Sequence, residues 1–376
     1  MAEWVPYLEI FDDENIQTKT SIDQINTEKA VSNAQKGDKT VLRIPSRDYL
    51  IDKIVHLGKS YQNFCYQETW LPYWFLNSMY VLKLHKIGGF DFFKDSIIKY
   101  LSKRTSYDGG YASSPDQKGN IILTYTAINS LAIIGTEKAF SSINRSEIYN
   151  FLKQSKQPDG SFSAGAALES DSRSTYCAIC VASLLNMLTP ELLEGTVEFL
   201  ISCQGYDGGF GPRAHCETHG GYGFCSLGAL SILNSIDKIN VEKVINWCAM
   251  RQTSYAGGFN GRTNKLVDTC YTWWVGAMCR ILSDEFKIEP FWNQEGITNW
   301  VLSVCQHESG GAFDKPGVNP DLFHTMYGYI GLSASANDYL KKQGGFELID
   351  MDARYAIPKE SVEAIKNYFA NNPFTP

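Results

Sequence analysis

The chain lacks the features that mark several functional classes. It has no excess of positive charge: 34 Lys and Arg stand against 41 Asp and Glu, a formal net charge of −7. A protein that coats nucleic acid or an anionic membrane needs the opposite balance, because Lys and Arg must displace counterions. Neither partner is expected. No apolar run comes near the ~18 consecutive residues needed to span a bilayer. The opening, MAEWVPYLEIFDDEN, carries acids where a secretion signal would carry basic residues and then an apolar stretch. The expectation is a cytoplasmic protein without membrane insertion. Cysteine is plentiful, but the ten thiols are scattered from Cys65 to Cys305, mostly in apolar segments such as 176-YCAICVASLL-185. That placement suits reduced, buried side chains better than a disulfide framework.

What is present is a large core and a repeat. Hydrophobic residues make up 44% of the 376 positions, and a length of this order suggests two or three domains unless one repeated unit uses the whole chain. A Gly-rich mark recurs as 107-YDGGY-111, 158-PDGSF-162, 206-YDGGF-210, 256-AGGFN-260 and 309-SGGAF-313. Its first glycines, 109, 160, 208, 257 and 310, are spaced by 51, 48, 49 and 53 residues, a period that implies a repeated supersecondary unit. Before each mark lies an amphipathic segment, such as 245-INWCAMRQ-252. After it comes one that is apolar nearly all round, such as 174-STYCAICVASLLNML-188. Each repeat therefore reads as an outer and an inner helix. Hairpins of this kind cannot bury their faces alone, and inner helices this apolar favour closure. The expected fold is all-α, an α/α toroid, as one domain over residues 1–376.

Aligning the inner helices on an apolar position eight residues further on places Tyr125, Tyr176, Tyr222, Cys270 and His324 in one column. Asp268 lies two residues before Cys270. Carboxylate, thiolate and imidazole suit zinc, and three protein ligands leave a position open, as in catalytic sites. The alternative is a helix cap, a buried thiol and a core histidine that never meet a metal. In 261-GRTNKLVDTCY-271, Arg262 and Lys265 lead into Asp268. With His219 of 219-HGGY-222 and the Tyr271 hydroxyl they read as an anion site for phosphate or diphosphate. Aromatics at helical spacing, from 70-WLPYW-74 to Tyr327, supply an apolar wall.

Taken together, 70-WLPYW-74, 154-QSKQPDGSF-162, 217-ETHGGYGFC-225, 258-GFNGRTNKLVDTCY-271 and Phe323-His324-Thr325 resemble the β-subunits of protein prenyltransferases, over residues 70 to about 335. Segments 1–60 and 341–376 match poorly and are expected to add helices and loops. The resemblance implies an α/α toroid with one zinc per β-subunit on Asp268, Cys270 and His324. It implies a diphosphate site on His219, Arg262, Lys265 and Tyr271. An isoprenoid pocket would involve Trp70, Arg173, Tyr176, Gly221, Tyr222, Cys225, Trp274 and Tyr327, and a peptide site Trp70, Trp74 and Phe323. It further implies a prenyltransferase α-subunit as partner and substrate proteins ending in a CaaX sequence.

Within that family the farnesyl-transferring members resemble this chain in three positions. Asp314 matches the residue that helps hold Mg2+ beside the diphosphate, where type I geranylgeranyl enzymes have Lys. Trp70 and Tyr327 match bulky residues that limit the pocket to farnesyl diphosphate. Phe323 departs from the usual Tyr before the zinc histidine, Trp273 from a Phe and Thr269 from a Gly. The alternatives are type I and Rab geranylgeranyltransferase β-subunits, a terpene cyclase and a non-catalytic scaffold. A cyclase needs an Asp-rich inner motif, and no inner segment has one.

Overall fold

The computed structural model describes residues 18–34, 39–56, 68–86, 88–344 and 347–374. Cys65 and parts of segment 1–60 lie outside the described residues. The apolar segments form the helices Trp70–Val81, Ile121–Ile134, Ser172–Leu184, Gly220–Ile232, Tyr271–Phe286 and Leu322–Lys342. Pro72 falls in the first turn of the first helix, where its missing N–H has no intrahelical partner to lose. Every residue of Ile121–Ile134 except Ile122 is buried, as is every residue of Trp70–Val81 except Trp70. Each of the six packs on the next, and Leu322–Lys342 packs back on Trp70–Val81, closing an inner ring. The expected α/α toroid is the fold observed.

The outer layer comprises Phe90–Ser102, Arg145–Ser155, Thr196–Ser202, Val241–Ala249 and Gln294–Asn299, the last continued by a π-helical turn, Trp300–Cys305. In Val241–Ala249 only Val244, Trp247 and Cys248 are buried, the spacing of three and four that turns one face inward. The five glycine marks tie the layers together. Gly109, Gly160, Gly208, Gly257 and Gly310 all have φ between +74° and +98°, a region that penalises a Cβ. A Cβ there would also fall 2.0–2.6 Å from the backbone of Glu147, Gly195, Lys243, Gly296 or Pro45, respectively. The first four contacts reach the start of the next outer helix. The fifth reaches back to the helix Arg43–Val55, so the outer layer closes as well.

The C-terminal segment has a definite place. Met351–Asp352 pairs antiparallel with Ile357–Pro358, and a helix, Lys359–Ala370, follows. Tyr355, at the turn of this hairpin, is buried, and its hydroxyl meets Ser183 Oγ at 2.8 Å near the C-terminal end of an inner helix. The hairpin thus enters the ring from the end opposite the inner-helix N-termini.

Candidate active site

A polar residue at the N-cap, or for Asp268 two residues before it and serving as cap, sets the register of five inner helices. Asn120, His219, Asp268 and Asp321 each donate their backbone N–H to the carbonyl of the residue nine positions earlier, Tyr111, Phe210, Phe259 and Ala312, at 2.9–3.3 Å. Asp171 stands nine residues after Phe162 and closes a reciprocal capping box with Ser174. This register corrects the sequence column. Counted from the cap, Tyr125 and Tyr176 are fifth, Tyr222 and His324 third, and Cys270 second. The apolar alignment slips because apolar residues fill almost every inner-helix position and carry no phase, whereas the cap is a single polar residue with a fixed hydrogen-bonding task.

Asp268, Cys270 and His324 nevertheless converge, with one ligand atom from each lying within 4.8 Å of the others. Asp268 Oδ1 accepts the Cys270 N–H at 2.7 Å and stands 3.4 Å from His324 Nε2. Asp321 accepts twice from His324, from its backbone N–H and from Nδ1, each at 2.7 Å. That contact fixes the ring and points Nε2 at Asp268 and Cys270, the usual way a metal-binding histidine is held. Burial opposes the His324 charge, but the Asp268 and Asp321 carboxylates outweigh it and raise its pKa to about 10. Burial, and then the Asp268 charge, pushes the Cys270 thiol well above its ordinary value. A carboxylate, a thiol and an imidazole converging at this distance are a donor set that fits a zinc ion, which would displace the protons these groups hold.

Asp314 lies beside them, since its carbonyl accepts from Thr269 N and Thr269 Oγ1, both at 2.9 Å. One carboxylate oxygen, Oδ2, takes Lys315 Nζ at 2.5 Å. The other, Oδ1, is buried with no hydrogen-bond partner, and burial followed by the Asp268 charge raises the pKa of the group. An orphaned buried carboxylate oxygen is satisfied by a cation or a proton.

The expected anion cluster is brought together in part. His219 caps its helix by accepting the Gly221 N–H on Nδ1 at 3.0 Å. In the neutral ring Nε2 therefore carries the hydrogen and donates to the Tyr271 hydroxyl at 2.9 Å. Burial, then the Arg262 charge, lowers the His219 pKa and favours that neutral form. The Tyr271 proton is then available to a third group. Gly261 makes this possible, because a Cβ there would lie 2.0 Å from the Tyr271 ring. Arg262 is ion-paired with Glu217, and Lys265 is exposed.

A cavity of about 270 Å³ opens between the inner helices. The expected wall residues Trp70, Arg173, Tyr176, Cys225, Trp274 and Tyr327 line it, as do the expected peptide-site residues Trp74 and Phe323. Gly221 and Tyr222 do not. They fall second and third from their cap, and the Tyr222 ring turns toward His219, 5.6 Å away, with the Arg173 guanidinium over it at 5.6 Å. Ile122, Tyr125 and Cys177 also line the cavity and are missing from the expected wall. Counting from the caps finds Cys177 at once, since Cys177, Cys225, Trp274 and Tyr327 are each sixth.

Comparison with known proteins agrees with this architecture. Residues 45–368 match the model of the prenyltransferase alpha-alpha toroid domain. The chain is 33% identical to the protein farnesyltransferase subunit beta of Schizosaccharomyces pombe, over 94% of this chain and 97% of that protein. It is 36% identical to the Saccharomyces cerevisiae protein of the same name, over 82% and 75%. A solved Candida albicans protein geranylgeranyltransferase-I complexed with GGPP superposes with a TM-score of 0.75 at 21% identity, over 88% of this chain and 99% of that one, a likeness of fold. With relatives of this identity matched over most of their length, the chain belongs to the protein prenyltransferase β-subunits of the α/α-toroid family.

Proposed function

We propose that the chain, acting as one toroid domain over residues 1–376, is the catalytic β-subunit of a zinc-dependent protein farnesyltransferase. It would transfer farnesyl from farnesyl diphosphate to the cysteine of a C-terminal CaaX sequence. The observation that carries this reading is the meeting of Asp268, Cys270 and His324, joined through Phe323 and Trp274 to an aromatic-walled cavity. Zinc held by those three residues would bind the substrate thiol and keep it as the thiolate, the competent nucleophile.

The chain's own groups account for the rest. The aromatic wall excludes water and seats an apolar chain. Tyr271, whose oxygen is occupied by the His219 N–H, offers its proton to a diphosphate oxygen, and Arg262 and Lys265 add positive charge where the leaving group gains negative charge. The Asp314 Oδ1 oxygen suits Mg2+ beside that diphosphate once Lys315 gives way. Farnesyl is favoured over the longer geranylgeranyl by the bulk of Trp70 and Tyr327, both of which line the cavity. The expected partner is a prenyltransferase α-subunit, and the expected site of action is the cytoplasm.

The test is a prenylation assay on the chain co-expressed with an α-subunit, with a CaaX peptide, farnesyl or geranylgeranyl diphosphate, and zinc quantified in the same sample. Farnesyl transfer with one zinc per heterodimer is expected. Preference for geranylgeranyl diphosphate would discard the argument from Trp70 and Tyr327, and a folded, zinc-free, inactive heterodimer would discard the reading as a whole.

A further inference from the structure

Three consecutive carbonyls at the turn of the C-terminal hairpin are read by three consecutive inner helices. Tyr176, on Ser172–Leu184, donates its hydroxyl to Arg354 O at 2.9 Å. Asn129, on Ile121–Ile134, donates Nδ2 to Tyr355 O at 3.4 Å. Tyr73 and Asn77, on Trp70–Val81, both donate to Ala356 O, at 2.9 and 3.0 Å. All four side chains are buried. Two of these contacts lead directly to the cavity. Tyr176 is one of its walls. Tyr73 meets the hydroxyl of a second wall residue, Tyr125, at 3.2 Å, and its ring lies 5.8 Å from that of a third, Trp70.

We propose that the turn Arg354–Ala356 sets the depth of the cavity, with Tyr73 and Tyr176 as positioning residues that fix the length of apolar chain it accepts. The inference rests on the prenyl-transfer reading above. A longer chain presses on Tyr125 and Tyr176, and neither ring can retreat toward the hairpin while its hydroxyl network ends on a carbonyl held by the surrounding helices. The turn itself is braced from behind. The Tyr355 and Ala356 N–H groups both donate to Asp352 O, at 3.2 and 3.0 Å, and Lys366 Nζ donates to the Tyr355 hydroxyl at 2.6 Å. Removing the Tyr176 hydroxyl takes the side-chain donor from Arg354 O, and removing that of Tyr73 leaves Ala356 O held by Asn77 alone; a buried carbonyl short of donors is relieved by moving to water. The turn would then shift outward and the cavity would lengthen.

The experiment uses the heterodimer and measures kcat/KM for farnesyl and for geranylgeranyl diphosphate in wild type, Tyr176→Phe and Tyr73→Phe. Each variant is expected to move the ratio about tenfold toward the longer chain, the scale on which a little pocket room changes selectivity. The double variant should move it further. Folded variants that use farnesyl diphosphate with an unmoved ratio would overturn the inference alone, whereas a wild-type heterodimer that binds neither diphosphate would overturn it together with the functional reading. A second measurement needs no variant: hydrogen exchange at the Tyr355 and Ala356 amides of the wild-type heterodimer. Farnesyl diphosphate is expected to slow it and geranylgeranyl diphosphate to leave it fast, while equal protection by both would count against the turn as a depth gauge.

Discussion

Asp268 and Asp321 occupy the same place in successive hairpins, each nine residues after the carbonyl that receives its backbone N–H, yet they do different work. Asp268 turns its carboxylate toward His324 Nε2 at 3.4 Å. Asp321 holds the other side of the same ring through Nδ1 at 2.7 Å. One repeated cap has become a candidate ligand and the next has become the residue that aims a ligand. The position suits both uses, because a carboxylate at a helix start is already ordered by a backbone N–H, that of Cys270 for Asp268 and that of His324 for Asp321.

Cys270→Ala removes one of three donors from the candidate metal centre. Zinc content measured on the purified heterodimer should fall from one to near zero, and prenyl transfer should fall by about a thousandfold or more. The far-ultraviolet helical signal should be retained. Full zinc content in this variant would remove Cys270 from the ligand set.

Asp321→Asn keeps an oxygen for the cap but puts an amide against a His324 nitrogen that needs an acceptor. Loss of such an outer partner weakens metal affinity by about 10- to 100-fold. Competition with a zinc chelator measures this directly. Farnesyl diphosphate binding should be unchanged, because the His219–Tyr271 pair does not involve Asp321.

Asp314→Lys places an ammonium where the orphaned carboxylate oxygen lies. The rate should lose most of its dependence on Mg2+ concentration while zinc content stays the same. A Mg2+ titration curve identical to that of wild type would show that Asp314 Oδ1 has another use.

Gly160→Ala tests the mark that joins the two layers. A left-handed φ costs a side chain about 1–3 kcal/mol, and here the new Cβ would also meet Gly195 O at 2.0 Å. Gly317→Ala is the control, with φ of +98° and nothing near its would-be Cβ. Thermal unfolding of the heterodimer should show the larger loss at position 160, with equal losses pointing to backbone strain alone.

Lys156, bridged to Phe162, stands where three other hairpins carry Gln204, Gln252 and Gln306, bridged to residues six, seven and six positions on. Its ammonium donates to Gly160 O and Leu192 O, at 3.0 and 2.9 Å, and to Thr196 Oγ1. Burial lowers its pKa from 10.5 to about 8. Between those values the unfolded chain binds the proton more tightly than the folded one. Stability from this residue therefore rises as pH climbs from about 8 toward 10.5 and is lowest below 8. Urea unfolding should show that rise in wild type and not in Lys156→Gln. Parallel curves would mean that the three oxygens keep the ammonium charged.

The repeat, the two helix types and the closed ring could be read from the chain because each has a local cause. Glycine at a fixed period marks a left-handed turn against neighbouring backbone, and segments apolar on every side must be enclosed by others of their kind. The zinc donors were legible by residue type and by family resemblance, but their phase was not. Apolar residues at every inner position offer no landmark, so the apolar alignment puts Cys270, second from its cap, level with Tyr222 and His324, both third, and with Tyr125 and Tyr176, both fifth. Gly221 and Tyr222 are wall residues only by the family resemblance, and neither lines the cavity.

Tertiary structure alone decided the rest. That the His219 ring hands its hydrogen to Tyr271, that one oxygen of Asp314 is left without a partner, and that Asp268 meets the His324 ring which Asp321 holds locally all depend on side chains brought together from different hairpins. The C-terminal segment shows this most clearly. Nothing in 351-MDARYAIP-358 announces that its carbonyls will meet Tyr73, Asn129 and Tyr176, because a backbone carbonyl is the same at every residue. Local pattern determines which elements form, whereas the partner of a generic polar group is chosen only when distant elements close around it.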